Sequence, residues 1–103
     1  MNLPTVSIVT PCYNAARFIR ETIESVSGQR YPHLEHIVID GGSTDGTLDI
    51  LKAYPHLRWV SAPDRGQSHA LNKGFAMARG ELIGWLNADD TYAPGAVSTA
   101  VDY

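Results

Sequence analysis

The chain has 103 residues, 44% of them hydrophobic and 18% charged, which bounds it to one small globular domain with one core. A formal net charge of −3 excludes a broad nucleic-acid surface, which would be basic, so no nucleic-acid partner is expected. The lone Cys12 excludes an intrachain disulfide, no apolar run reaches the roughly 18–20 residues of a membrane span, and Met1-Asn2-Leu3-Pro4 does not read as a secretory signal, so a cytoplasmic location is expected.

Val6-Ser7-Ile8-Val9 is a β-rich run that ends at Thr10-Pro11 and reads as a first strand. Asn14 is placed to cap the following helix, in which Ile19, Ile23 and Val26 share one face and Gly28 marks the stop. Ile37-Val38-Ile39 is a second strand, closed by Asp40-Gly41-Gly42. Thr47 to Tyr54 is helical by pattern, with Asp45 or Ser43 as cap and Pro55 beyond its end. Leu57 to Val60 is a third strand. A helix then runs from about Gln67 to Arg79 with Leu71, Phe75 and Ala78 on its apolar face, and Gly80 follows it. Leu82 to Leu86 is a fourth strand, and Pro94 suits the first turn of a last helix. His33, His36 and His56 read as loop or strand-edge residues, and Cys12 as a small buried filler.

Strands alternating with helices imply an α/β fold with a mainly parallel sheet of about four strands, joined by right-handed crossovers and flanked by helices. Ligands in such sheets sit beyond the carboxyl ends of the strands. That rule selects Thr10 to Asn14, Asp40 to Asp45, Ala62 to Gln67 and Asn87 to Asp90, where most of the unusual polar residues lie. No G-x-G-x-x-G follows the first strand, and no G-x-x-x-x-G-K-[ST] occurs. A dinucleotide Rossmann site and a P-loop are therefore not expected.

Four blocks resemble the family-2 glycosyltransferases. They are Val6 to Asn14, Val38 to Thr47, Asp64 to Gly74, and Gly80 to Asp90, the last similar to the block with that family's DxD-type motif. Their order and spacing extend the resemblance from about Thr5 onward. It implies the nucleotide-sugar-binding half of a Rossmann-like GT-A fold, and an inverting transfer of sugar from a nucleoside-diphosphate sugar to an acceptor in cell-surface polysaccharide or related glycan synthesis. Read alone, Asp89-Asp90 is a turn and helix cap; beside the other three blocks it is a site for a divalent metal, Mn or Mg.

The resemblance implies a role for each matching residue. Asp89 is the metal ligand, and Asp90 orients ligands or the donor sugar. Asn87 stands where the family often has Asp; its carbonyl can coordinate a hard cation without adding charge. Asp40 contacts the nucleoside, and Gly41 takes the place of a second Asp, so no uridine preference is implied. Pro11 and the ring of Tyr13 flank the base, where stacking is worth about 1–3 kcal/mol. Arg65 meets the diphosphate, and Gln67 lies at a helix N-terminus that favours anions. His69 and Ser68 carry no catalytic assignment.

The family's general base, a carboxylate, lies well downstream of the DxD-type block, beyond Tyr103. These 103 residues, read as a truncated single domain, are thus expected to bind donor without transferring sugar. The acceptor is not specified, and peripheral membrane association of a longer protein is compatible with the sequence. A fourth strand without further neighbours leaves an uncovered edge that favours self-association. Rival readings are a sugar-phosphate nucleotidyltransferase, a flavodoxin-like binding module, and a non-catalytic nucleotide-binding or structural remnant domain. The first two are disfavoured because Thr10 to Asn14 is not a phosphate loop.

Overall fold

A computed structural model describes residues 3–29, 31–63 and 66–102. Strands β1 (Val6–Cys12), β2 (Leu34–Asp40), β3 (Arg58–Ser61) and β4 (Leu82–Trp85) alternate with helices α1 (Ile19–Ser27), α2 (Thr47–Lys52), α3 (Gln67–Met77) and α4 (Ala96–Asp102). The strands form one parallel sheet in the order β3-β2-β1-β4, with Val9 opposite both Ile37 and Trp85. The predicted α/β alternation is therefore the observed one. The central strands β1 and β2 extend further than their apolar runs suggested.

Pro11 lies inside β1, although proline cannot donate to a ladder. The Leu86 amide donates to Val9 O at 3.0 Å, so alternate residues of β1 face β4. Pro11 is the next residue on that side, past the last β4 partner, where no donor is required.

Each sheet face buries a separate apolar layer. On one face, Ile19 and Ile23 of α1 and Leu51 of α2 pack with Cys12 and Val38, while Val26 and Val97 close over Val6 and Ile8. The predicted stripe Ile19, Ile23, Val26 is the buried one. On the other face, α3 covers Val9, Ile37 and Ile39. There the expected stripe Leu71, Phe75, Ala78 is rotated: Ala70 and Gly74 are buried, and Phe75 is 40% exposed. The cause is close approach. A Cβ on Gly74 would lie 2.2 Å from Val9 Cγ1, so only glycine lets α3 sit this near the sheet.

At the amino ends of the strands, Glu35 accepts hydrogen bonds from Ser7 Oγ (2.5 Å), Arg58 Nη1 (2.6 Å) and the Arg79 amide (2.7 Å). One carboxylate thereby joins three strands to the α3–β4 connection. Burial alone would raise its pKa; these bonds outweigh that and hold it below the usual range. No helix among the described residues is long and apolar enough to cross a membrane.

Histidine 36 corrects the expectation of a strand-edge residue. It sits in β2, buried, with Nε2 2.7 Å from Thr10 Oγ1. Burial, with a smaller contribution from His56, pushes its pKa down to about 3. The unfolded chain therefore binds a proton near pH 6.5 that the folded chain refuses until about pH 3, so stability falls as pH drops through that window. Urea unfolding between pH 6.5 and 4.5 should show this loss, and His36→Gln should flatten the slope. An equal slope in the variant would remove His36 as its source.

Candidate functional site

The four loops after the strands converge at one end of the sheet. They surround an open cleft of about 660 Å³ lined by Pro11, Cys12, Tyr13, Gly41, Gly66, Gln67, Ala70, Asn87 and Asp89. That volume falls in the range of small-molecule sites. Of the residues singled out in the sequence, Pro11, Tyr13, Gly41, Gln67, Asn87 and Asp89 meet here. Arg65 lies outside the described residues. Asp40 and Asp90 are not on the wall.

Asp40 lies behind the cleft, fully buried. Its Oδ2 accepts from the amides of Gly42 (3.0 Å) and Ser43 (2.8 Å) and from Ser61 Oγ (2.8 Å), and its Oδ1 accepts from the Ser43 hydroxyl and from Cys12 Sγ at 3.4 Å. Burial would raise its pKa, but the bonds from Ser43, Ser61 and Gly42 prevail and lower it. The carboxylate stays charged and shapes the loop. Burial, and next to it the Asp40 charge, pushes the Cys12 thiol far up, so it is no thiolate nucleophile.

The loops after β1 and β2 are stitched together. Asn14 does not cap α1, whose N-cap position is held by Phe18 with no side-chain cap hydrogen bond. Instead Asn14 adopts φ +48°, its amide donates to Ser43 Oγ (2.8 Å), and its Oδ1 accepts from the Thr44 amide (2.8 Å). Asp45 takes the expected capping role from one residue before the cap position. It accepts from the Thr47 amide (3.1 Å) and hydroxyl (2.5 Å), and also from the Ala16 amide (3.1 Å). Those bonds, the Thr47 hydroxyl first, lower its pKa. Tyr13, 64% exposed, thus projects from a braced loop beside Gly41.

The acidic turn is held by residues the sequence reading passed over. Thr22, fully buried on α1, places its hydroxyl 2.8 Å from Ala88 O and 2.7 Å from Asp90 O, the two carbonyls flanking Asp89. Ser25 Oγ accepts from the Tyr92 amide (3.1 Å). Gln29 donates to Ala93 O (2.9 Å) and accepts from the Val97 amide (3.0 Å). Thr22 and Ser25, three residues apart, lie on one side of α1, and Gln29 follows just past its C-cap Gly28. The signal available in the sequence was polar residues adjoining an apolar stripe, which ordinarily reads as the solvent side.

Among the described residues no three His, Cys, Asp or Glu side chains gather as a metal cluster. Asp89 is the carboxylate on the cleft wall. A magnesium-type ion held by one or two carboxylates plus phosphate oxygens fits such a wall; a site built wholly from protein ligands does not. The amino end of α3 also opens on the cleft through Gly66 and Gln67, with no acidic residue in its first turn, and such an end attracts anions.

A parallel sheet with its cleft past the strand ends, an acidic turn after β4 and no phosphate loop after β1 defines the GT-A type of nucleotide-binding fold. Residues 7–103 match the model of glycosyl transferase family 2, and the chain belongs to that family. It is 35% identical over 106 residues to TuaG of Bacillus subtilis, a glycosyltransferase assigned to teichuronic acid biosynthesis, covering 97% of this chain and 42% of that protein. It is 38% identical over 104 residues to the chondroitin synthase of Escherichia coli, covering 97% of this chain and 15% of that one. Among solved structures it resembles TarS of S. aureus in complex with UDP-GlcNAc (TM-score 0.86, 27% identity, 95% of this chain and 30% of that chain). It also resembles the mannosyltransferase PcManGT of Pyrobaculum calidifontis in complex with GDP-Man and Mn²⁺ (TM-score 0.84, 32% identity, 98% and 31%). The chain spans less than half the length of these relatives.

Replacing Thr22 by the isosteric valine removes the single hydroxyl hydrogen that the Ala88 and Asp90 carbonyls share. It should lower stability by about 1–3 kcal/mol in urea and speed amide exchange at Asp90, whose N–H closes the turn on Asn87 O at 3.0 Å. Wild-type exchange in Thr22→Val would show that the hydroxyl does not hold the turn.

Proposed function

We propose that this chain is the donor-binding part of an inverting glycosyltransferase that takes a nucleoside-diphosphate sugar, with acceptors in cell-surface polysaccharide or a related glycan. The observation that carries the proposal is the cleft itself, where an exposed aromatic ring, a glycine wall, a helix amino end and a carboxylate meet in about 660 Å³. Support comes from the sugar nucleotides in the two solved relatives, UDP-GlcNAc in TarS and GDP-Man in PcManGT.

In this proposal the base lies between Pro11, the ring of Tyr13 and Gly41. Arg65, which lies outside the described residues, is assigned to the diphosphate by the family resemblance alone. Asp40 acts through the loop it organises, and Asp90 through the turn it completes. The α3 amino end and Gln67 face the diphosphate. Asp89 is the protein carboxylate for a divalent cation, Mn²⁺ or Mg²⁺, which PcManGT carries as Mn²⁺. When bound, such a cation offsets the charge of the departing nucleoside diphosphate. The general base and the acceptor site are assigned to sequence outside these 103 residues, because the relatives are more than twice as long. The protein is proposed to be cytoplasmic.

Thermal unfolding with UDP-, GDP- and TDP-sugars, each with and without Mn²⁺, tests the proposal. Ligand at about 100 times its Kd adds about 2.7 kcal/mol, which is several degrees of Tm for a chain this small. At least one sugar nucleotide should give that rise, and Asp89→Ala should remove the Mn²⁺-dependent part. No shift with any of the three, in either condition, would contradict donor binding.

A further inference from the structure

Asp89 is exposed on the cleft wall, so packing does little to aim its carboxylate. Its backbone sets the direction instead. A side chain leaves its Cα along a bond fixed by the rigid peptide planes on either side, and at Asp89 both planes are held. The plane before it carries Ala88 O, 2.8 Å from Thr22 Oγ1. The plane after it carries the Asp90 amide, which donates to Asn87 O at 3.0 Å. The next plane carries Asp90 O, 2.7 Å from the same Thr22 oxygen. One hydroxyl, sharing a single hydrogen, therefore bridges the carbonyls on both sides of Asp89. The bridge has a firm footing. Thr22 is fully buried on α1 between Ile19 and Ile23, which pack on the sheet with no exposed surface. Ala88 packs against the same layer. Burial also keeps water from replacing the hydroxyl as donor.

We infer that Thr22 is a positioning residue for cation binding at Asp89, acting through the two carbonyls and touching neither cation nor nucleotide. This role rests on the donor-binding function and the Asp89 site proposed above. A ligand held to a fraction of an ångström binds a cation better than one that must first be ordered, and loss of such a supporting group typically costs about 10–100-fold in metal affinity. The hydroxyl thus governs the metal-dependent part of nucleotide affinity. The part carried by Tyr13, Gly41 and the α3 end, on the other loops, does not depend on it.

Calorimetric titration of UDP and GDP into the 103-residue chain, in EDTA and in Mn²⁺, separates the two parts. The ratio of the two affinities is the Mn²⁺ gain. Wild type should bind in EDTA and more tightly in Mn²⁺. Thr22→Val should lose a factor of about ten from the gain and keep its EDTA affinity. Thr22→Ser, which retains the hydroxyl, should keep the gain. Thr22→Cys, with a weaker donor, should fall between them, and it carries the comparison if the valine chain does not fold. A wild-type gain in Thr22→Val, or in Thr22→Cys where that chain stands in, would overturn the role of Thr22 while leaving donor binding intact. So would equal losses in EDTA and Mn²⁺, which a merely structural role would produce, or a serine variant as weak as valine. Wild-type binding only in Mn²⁺ would overturn the division into two parts. Wild-type binding that gains nothing from Mn²⁺ would overturn the Asp89 site, and binding of neither nucleotide would overturn donor binding, each taking this role with it.

Discussion

The cleft depends on a buried charge. Asp40 sits at the end of β2 with no exposed surface, and its two oxygens gather donors from the neighbouring strand ends, Cys12 of β1 and Ser61 of β3, and from the loop that follows. A buried carboxylate is tolerated only when its lone pairs are filled, so the loop has little freedom to rearrange. Gly42, at φ +96°, makes the turn that brings its own amide and that of Ser43 back onto Oδ2. From there the order spreads outward. Ser43 accepts from Asn14, Asn14 accepts from Thr44, and Asp45 and Thr47 brace Ala15 and Ala16.

The opposite wall is fixed by another means. There α1 offers Thr22 and Ser25, and the turn just past it offers Gln29, to backbone groups between Ala88 and Val97. The same helix buries Ile19, Ile23 and Val26 against the sheet. It therefore transmits the position of the sheet to the turn that carries Asp89. A site preorganised in this way spends little binding energy on ordering its own loops, which suits recognition of a flexible sugar nucleotide.

Much of this was legible in the sequence. Apolar runs and the helical spacing of Ile19, Ile23 and Val26 located the elements, and the strand-end rule brought six of the named residues to one cleft. What escaped has a common physical cause: pattern reads side chains one element at a time. Phe75 outranks Gly74 in hydrophobicity, yet contact with Val9 selects the glycine. Asn14 has the composition of a cap, but its best partners lie thirty residues away on another loop. His36 looks polar and peripheral until Thr10 on the adjacent strand satisfies one ring nitrogen. Thr22 and Asp40 are alike in this respect, since their roles exist only once distant backbone groups surround them. Family membership came from the four blocks together, and the resemblance alone could not say which block residues face the cleft and which support it.

The central claim is that one preformed cleft, with Asp40 behind it and Asp89 on its wall, receives the nucleotide. Mapping amide shift changes by NMR during titration with UDP or GDP measures this most directly. The account predicts changes concentrated at Tyr13, Gly41, Gly66, Gln67, Asn87 and Asp89, with those at Asp89 growing when Mg²⁺ is added. Changes centred instead on the apolar groove between β4 and α4, around Ile83 and Val97, with the cleft residues unmoved, would contradict it.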